Sequence, residues 1–350
     1  MKSSFNVNVN INRNGVFSVR YTRLKDIAEQ TGVSVNTVSR ALKGKSDIGK
    51  ETSRRIRRVA KDLGYVPHAG AVSLRSKTTK TIGVIVTYLD NPFYARILKG
   101  INDAIAESGY TVMTWENSED IKKEQHILRI LASYRVAGSI IVPASNLEND
   151  FDYDTLKMPH LTIVRKGNLN TKSYFVVNSF KSGQIIANHF LQTGRKKPAF
   201  LGLDLRVSCE SDRLSGYRER LEKEALVLHD TNIHKCFPSS QAAYQTIKTW
   251  MKDKPDFDAI FVSTDQLAFG VLRAFYALGV EVPDDIAVVG HDDVENAQFF
   301  TPSLTTVRVP KYKLGVESAT CLINMIQNDE KNSKNQTIYE PELIVRESSR

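Results

Sequence analysis

Between Thr31 and Gly44 the sequence reads TGVSVNTVSRALKG. Asn36 can meet adenine through two hydrogen bonds, and Arg40 can donate two to guanine. Ser34, Thr37 and Ser39 carry hydroxyls suited to phosphate oxygens, as are the free N–H groups at a helix start. These five residues lie on or near one side of a short helix, while Val33, Val38, Ala41 and Leu42 face elsewhere. Two uses fit such a face: contact with water, or the reading of DNA.

The charge balance bears on that choice. Residues 1–80 hold 17 Lys and Arg against 5 Asp and Glu, which leaves 31 against 34 in the other 270. A basic head on a slightly acidic body is the electrostatic footprint of a polyanion partner. Catalysis finds little support. No GxGxxG follows TIGVIV, and there is no GxxxxGK[ST], no GxSxG and no Cys–His pair at a convincing spacing. Cys209, Cys236 and Cys321 lie far apart and form no metal-ligand spacing, so neither a metal nor a cofactor is expected, and all three read as small buried hydrophobes. No apolar run reaches the roughly 18 residues of a membrane span. The start MKSSFNVNVNINRNG has no secretory core. A cytoplasmic protein without a membrane partner is expected.

The elements that must position the polar face follow from local pattern. Residues 1–21 are Asn-rich and expected to be disordered, although NVNVNIN could also form an edge strand. Three short helices are expected over 22–66. The first is Leu24–Gln30, ended at Gly32. The second is capped by Ser34 and stopped near Gly44. The third runs from about Lys50 to Leu63, with Ile56, Val59, Ala60 and Leu63 inward and RRIRR outward. Two short helices around a Gly-containing turn make a helix-turn-helix. Residues 67–79 read as a hinge, with an Ala-rich helix over Ala69–Ser76 too short to stand alone and a polar SKTTK linker.

From Thr81 strands and helices alternate. TIGVIV, TVMTW, GSIIVP, LTIV and FVV form one series, with helices over Pro92–Ser108 and Ile121–Tyr134. PAFLGL, AIFVST and IAVVGH form a second, with helices over Ser211–Glu224, Gln241–Lys252 and Asp265–Leu278. A helix over Lys311–Asn328 and a final strand, YEPELIVR, follow. This is an α/β body of two doubly wound parallel-sheet lobes behind a small all-α head. Such a pair is hinged, with its site in the crevice at the strands' C-terminal ends.

LKDIAEQTGVSVNTVSRALKGKSDIGKETSRRI, followed by LGYVPHAGAVSLRSKTTKTIGVIV, resembles the head of a LacI/GalR-family transcriptional regulator. DNPFYARILKGI, DRLSGY, STDQLAFGVLRAFYALGVEVPDDIAVVGHDD and TPSLTTVR resemble that family's effector domain. The resemblance spans about residues 22–350. It implies a homodimer on a palindromic operator in double-stranded DNA, and a periplasmic-binding-protein-like core over 80–350. The N-lobe would hold about 80–178 plus 307–338 and the C-lobe about 179–306 plus 339–350. A small molecule, a sugar or sugar derivative, would bind between the lobes and govern repression.

The family pattern assigns roles residue by residue. Val35 and Asn36 take the two positions that most determine specificity, and Arg40 reaches a base one turn later. Thr52 and Tyr65 are carried over as further DNA contacts. Leu74 matches a wedge in the minor groove, Ala71 the small residue beside it, and His68 stands where Asn is usual. In the body, Phe93, Trp115, Arg165, Arg213, Thr264 and Asp292 match or flank effector positions. A carboxylate at 292 suits sugar hydroxyls, and the guanidinium of Arg213 suits hydroxyls or a carboxylate. Plainer uses stand beside these: a helix or loop cap for Asp292, core packing for Trp115, ordinary packing against the body for Leu74, an ion pair for Arg165, and a helix cap for Asp265. The chain also departs from the family. Thr264 stands where Asn is common, Val164 where Asp is frequent, Tyr88 where Asp is common, and Asn178–Ser179 replace an Asp–Asn pair. Two other readings of the body remain, control by a protein co-effector and an exported solute-binding protein. The latter would need an export signal and no basic head.

Overall fold

The computed structural model describes residues 8–11, 17–20, 22–66, 79–144, 153, 156–167, 171–205, 207–330 and 333–350, and the statements below concern these. The chain divides into two units, Met1–Lys77 and Thr78–Arg350.

In the first unit, strands β1 (Asn8–Ile11) and β2 (Phe17–Arg20) pair antiparallel where disorder was expected. The alternation of Val or Ile with Asn, period two, suits an extended backbone and outweighs the polar composition. Helices α1 (Leu24–Thr31), α2 (Val35–Leu42) and α3 (Lys50–Asp62) follow. Ile27, Ala28, Val38, Ala41, Ile56 and Ala60 form their shared core. Gly32 ends α1 at φ 66°, a left-handed conformation that glycine adopts without the strain a Cβ brings. Thr22 ties the two ends of the head by donating to the Leu63 carbonyl at 2.8 Å. The hinge residues His68, Ala71 and Leu74 lie outside the described residues.

The second unit contains two six-stranded sheets. The first has the order β13-β7-β6-β5-β3-β4 and is parallel throughout. Its strands are β3 (Thr81–Val86), β4 (Thr111–Glu116), β5 (Gly138–Ile141), β6 (His160–Ile163), β7 (Tyr174–Val177) and β13 (Gln336–Tyr339). Helices α4 (Pro92–Ala106) and α10 (Lys311–Gln327) cover one face through Ile97, Ile101, Leu314 and Leu322. Helix α5 (Ile121–Ser133) covers the other through Leu128 and Leu131.

The second sheet has the order β14-β12-β11-β10-β8-β9. It comprises β8 (Pro198–Leu203), β9 (Ile233–Cys236), β10 (Ala259–Val262), β11 (Ala287–Asp292), β12 (Thr305–Arg308) and an antiparallel edge, β14 (Glu342–Ile344). Helices α6 (Ser179–Gln192) and α7 (Ser208–Glu222) lie on one face, and α8 (Ser240–Trp250) and α9 (Asp265–Leu278) on the other. Backbones of α6 and α7 touch. A Cβ on Gly216 would sit 1.9 Å from the Phe180 carbonyl oxygen, and one on Gly183 2.1 Å from that of Arg213. Only glycine lets the two helices approach so closely.

Several elements differ from the sequence reading. Helix α6 and strands β9 and β12 are additional, and α7 starts three residues earlier, at Ser208. YEPELIVR is not one strand, because Pro341 separates Tyr339, in the first sheet, from Glu342, in the second. Proline fixes its own φ and has no N–H for a ladder. The chain crosses between the sheets three times, at Asn178, at Val309–Pro310 and at Glu340–Pro341. Two of these passages are tied together, since Asn178 N–H donates to the Tyr339 carbonyl at 2.9 Å.

Candidate DNA-reading helix and ligand cleft

Helix α2 starts at a working cap. Ser34 Oγ accepts from the Thr37 N–H at 3.1 Å and shares a second hydrogen bond with Thr37 Oγ1 at 2.9 Å. Val38 and Ala41 are fully buried, which turns the opposite side outward. Ser34, Asn36 and Arg40 are exposed there, and Val35 is 44% exposed. Thr37 and Ser39 are half-buried. Arg40 is held by Asp47 in the following loop, with Nε 2.8 Å and a terminal nitrogen 2.6 Å from Oδ2. Thr52 is half-buried in the first turn of α3. Tyr65 packs against the head's core, and burial raises its phenol pKa.

In the body, the expected effector residues fall into two groups. The C-lobe group gathers at the C-terminal ends of β10 and β11. Arg213, buried on α7, donates to the Ser263 carbonyl at 2.7 Å, and its Nε finds no partner among the described residues. Asp292 ends β11, and its Oδ1 lies 3.2 Å from His291 Nδ1, whose other ring nitrogen lies 3.2 Å from Ser182 Oγ. His291 is fully buried. Desolvation, with the charge of Arg213 adding to it, lowers its pKa to about 4 despite the Asp292 carboxylate. Thr264 caps α9 by accepting from the Leu267 N–H at 3.3 Å. Asp265 is thus not the cap. Its carboxylate accepts from the Val294 N–H at 2.9 Å and from Thr306 Oγ1 at 2.6 Å. Burial, and then repulsion from Asp292, raises the Asp265 pKa.

Those contacts brace the turn after β11. Asp292 and Asp293 both have positive φ, 123° and 50°, which costs a residue with a Cβ of order 1–3 kcal/mol. Lys311, buried at the start of α10, donates to the carbonyls of Asp292, Asp293 and Val309. Desolvation lowers its pKa, and the nearby carboxylates of Asp292 and Asp293 work against that shift. Asp293 also accepts from Arg308 at 2.8 Å and from Arg346 at 2.7 Å. Sequence reasoning missed Lys311, and its place directly after the VP crossover was the available signal.

The N-lobe group is less unified. Arg165 is buried and makes a two-armed ion pair with Glu119, both arms 2.8 Å, and a third bond to the Pro143 carbonyl at 3.0 Å. Desolvation opposes its charge, but the Glu119 carboxylate outweighs it and raises the pKa. Glu119 reaches this place from a left-handed pair, Ser118 at φ 52° and Glu119 at φ 59°. Phe93 is buried in the first lobe's core and meets Tyr94 edge-on at 5.1 Å. Trp115 packs on the α5 side with Ile85 and Tyr153, its indole N–H without a partner among the described residues. A cavity of about 560 Å³ opens between the ends of β6 and β7 and the start of α7. Arg165, Lys166, Asn178, Asp212 and Gln336 are among the polar residues that line it. Of the expected effector residues, it takes in Arg165 alone.

His291 gives this core a pH signature. The unfolded chain binds the imidazole proton near its ordinary 6.5, whereas the folded chain resists it down to about 4. Acidification across that window therefore favours unfolding, by about 3 kcal/mol for this group. Thermal unfolding of the wild type should fall more steeply between pH 6.5 and 4 than that of His291→Asn. Parallel slopes would show that the imidazole is not held neutral.

No helix among the described residues is long and apolar enough to cross a membrane, and no metal-ligand cluster occurs among them. The family profile described as "Bacterial regulatory proteins, lacI family" matches residues 23–68, and that of a periplasmic binding protein-like domain matches 187–349. The HTH-type transcriptional repressor PurR of Photobacterium profundum is 30% identical over 340 residues, covering 93% of this chain and 98% of that protein. The ribose operon repressor of Halalkalibacterium halodurans is 31% identical over 334 residues, covering 94% and 97%. Among solved structures, the lac repressor dimer bound to operator and the anti-inducer ONPF superposes with a TM-score of 0.83 at 24% identity, covering 94% of this chain and 99% of that one. That likeness supports the two-lobed fold. The helix-turn-helix head and the two-lobed core thus occur in one chain that matches these relatives over nearly their whole length, and the chain belongs to the lacI family of bacterial regulatory proteins, as a DNA-binding transcriptional regulator and not an enzyme.

Proposed function

We propose that the protein is a cytoplasmic repressor that binds a palindromic operator as a homodimer and is governed by a sugar or sugar derivative between its lobes. The observation that carries the reading is the joining of an exposed polar helix face, Ser34 to Arg40, to a core that buries Arg213 against the Ser263 carbonyl after β10 and Asp292 at the end of β11. Val35, Asn36 and Arg40 read bases, while Ser34, Thr37, Ser39 and Thr52 hold phosphates. Tyr65 acts mainly through packing. Leu74, with Ala71 and His68 beside it, is the minor-groove wedge. Arg213, Asp292, Thr264 and Arg165 are the polar effector contacts, with Phe93 and Trp115 as apolar walls.

Control of this kind needs a ligand that prefers one lobe angle by a few kcal/mol. Three chain passages allow the lobes to turn, and the turn would alter the spacing of the two hinges near residue 80. A second copy has a surface to meet. Tyr276 is 78% exposed on α9, two turns from Phe269, whose ring stacks on Phe300 at 4.1 Å beside the 73%-exposed Phe299. The names of the ribose operon repressor and of the CelR–cellobiose complex, a structure with TM-score 0.69 at 25% identity, favour a sugar.

Selection of bound duplexes from a random pool, with and without a sugar panel, tests the reading. An inverted repeat should be enriched, and one sugar should change its recovery. A single unrepeated half-site would remove the dimer. Indifference to every sugar would pass control to a protein co-effector.

A further inference from the structure

Asp47 is the single acid between residues 30 and 50, a stretch that also holds Arg40, Lys43, Lys45 and Lys50. A carboxylate there weakens the attraction of the head for phosphates. It adds little to the head's own stability either, because the Arg40–Asp47 pair is about half exposed, with side chains 46% and 49% accessible. Its geometry points to another use. One oxygen, Oδ2, takes both Nε, at 2.8 Å, and a terminal nitrogen of Arg40, at 2.6 Å. The contact runs from the last turn of α2 to the loop seven residues on, and it fixes a long side chain in one direction.

A guanidinium has five N–H donors in a rigid plane. Asp47 engages one edge, and the donors on the far edge stay available to a guanine's O6 and N7. We propose that Asp47 is a positioning residue for base readout, turning the free edge of Arg40 toward a guanine and keeping it off the phosphates. The proposal rests on the reading of α2 as the DNA-reading helix. Without Asp47, Arg40 is a free cation on a flexible stem. It gains phosphate contacts on any sequence and must be ordered afresh at its base.

The test uses the full-length chain and duplexes selected from a randomised pool, for wild type, Asp47→Ala, Asp47→Asn, Asp47→Glu and Arg40→Ala. Ordering one long side chain costs about 0.5–1.5 kcal/mol, so Asp47→Ala should lose roughly 2- to 12-fold in preference for one guanine per half-site. Its affinity for random duplex should rise, with a steeper salt dependence, and Asp47→Glu should restore part of the preference. Should the alanine variant fold poorly, the isosteric Asp47→Asn carries the same comparison. The proposal is overturned if Asp47→Ala and Asp47→Asn shift selected and random duplexes by one common factor with the base profile unchanged. Arg40→Ala separates the two levels. If it deletes a guanine from the profile while the Asp47 variants do not, only the positioning role fails. If it deletes nothing, the reading-helix assignment itself falls.

Discussion

Arg40→Ala should lose a large part of its preference for operator over random DNA. A two-pronged arginine–guanine contact is worth about 1–3 kcal/mol of discrimination, and the proposed symmetric dimer would make it twice, so roughly 2–6 kcal/mol is at stake. The whole gap between specific and non-specific binding is typically about 4–10 kcal/mol. One side chain would thus remove a large part of it. The fold should be untouched, since the Arg40 side chain is half exposed and its partner Asp47 is equally so. Fluorescence anisotropy with selected and scrambled duplexes at one salt concentration gives the ratio directly. An undiminished ratio with an intact thermal transition would sink the assignment of α2.

Asp292→Ala should be deaf to the effector while it still holds the operator. The residue is 6% exposed, at the end of β11 beside His291 and within the electrostatic reach of Lys311 and Asp265. Removing one partner of a buried, charge-assisted contact costs about 2–5 kcal/mol or more, enough to lift a micromolar ligand out of the working range. Asp292→Asn keeps the shape at φ 123° and loses the charge, so it separates lost recognition from a collapsed turn. Thermal shift with the sugar found by selection, alongside operator titration, reads both properties. A normal sugar response in Asp292→Ala would place the effector elsewhere, with the 560 Å³ cavity beside Arg165 the first alternative.

The long apolar strands announced themselves. TIGVIV and PAFLGL are almost wholly buried, as unbroken apolar runs between turn residues should be. Helix α6 did not, because Asn178, Ser179, Ser182 and Gly183 make its first turns look like a loop. The glycine is there because α7 presses against it. Strands β9 and β12, IHKC and TTVR, are short and half polar, and only their neighbours in the sheet make them strands. Local sequence also gave no hint that Tyr339 and Glu342 serve different sheets, since sheet membership is settled by distant partners, Val177 in the case of Tyr339. At the site, residue types were legible and their partners were not. Arg165 could be placed at a strand end, but Glu119 meets it from a distant turn, and Lys311 becomes meaningful only once its three carbonyls converge.

The two sheets share a timetable as well as a chain. Each takes an edge strand from residues 336–344, β13 for one lobe and β14 for the other. Ser348 then closes on the Val288 carbonyl and Ser349 on Thr305. Every residue of the head, by contrast, has been made by position 66. At about 5–20 residues per second, a ribosome needs roughly 15–55 s to travel from there to β13. For that interval the nascent chain carries a complete three-helix head attached to two unfinished sheets. A frameshift or early stop before residue 336 therefore leaves the head complete and both sheets short of an edge strand.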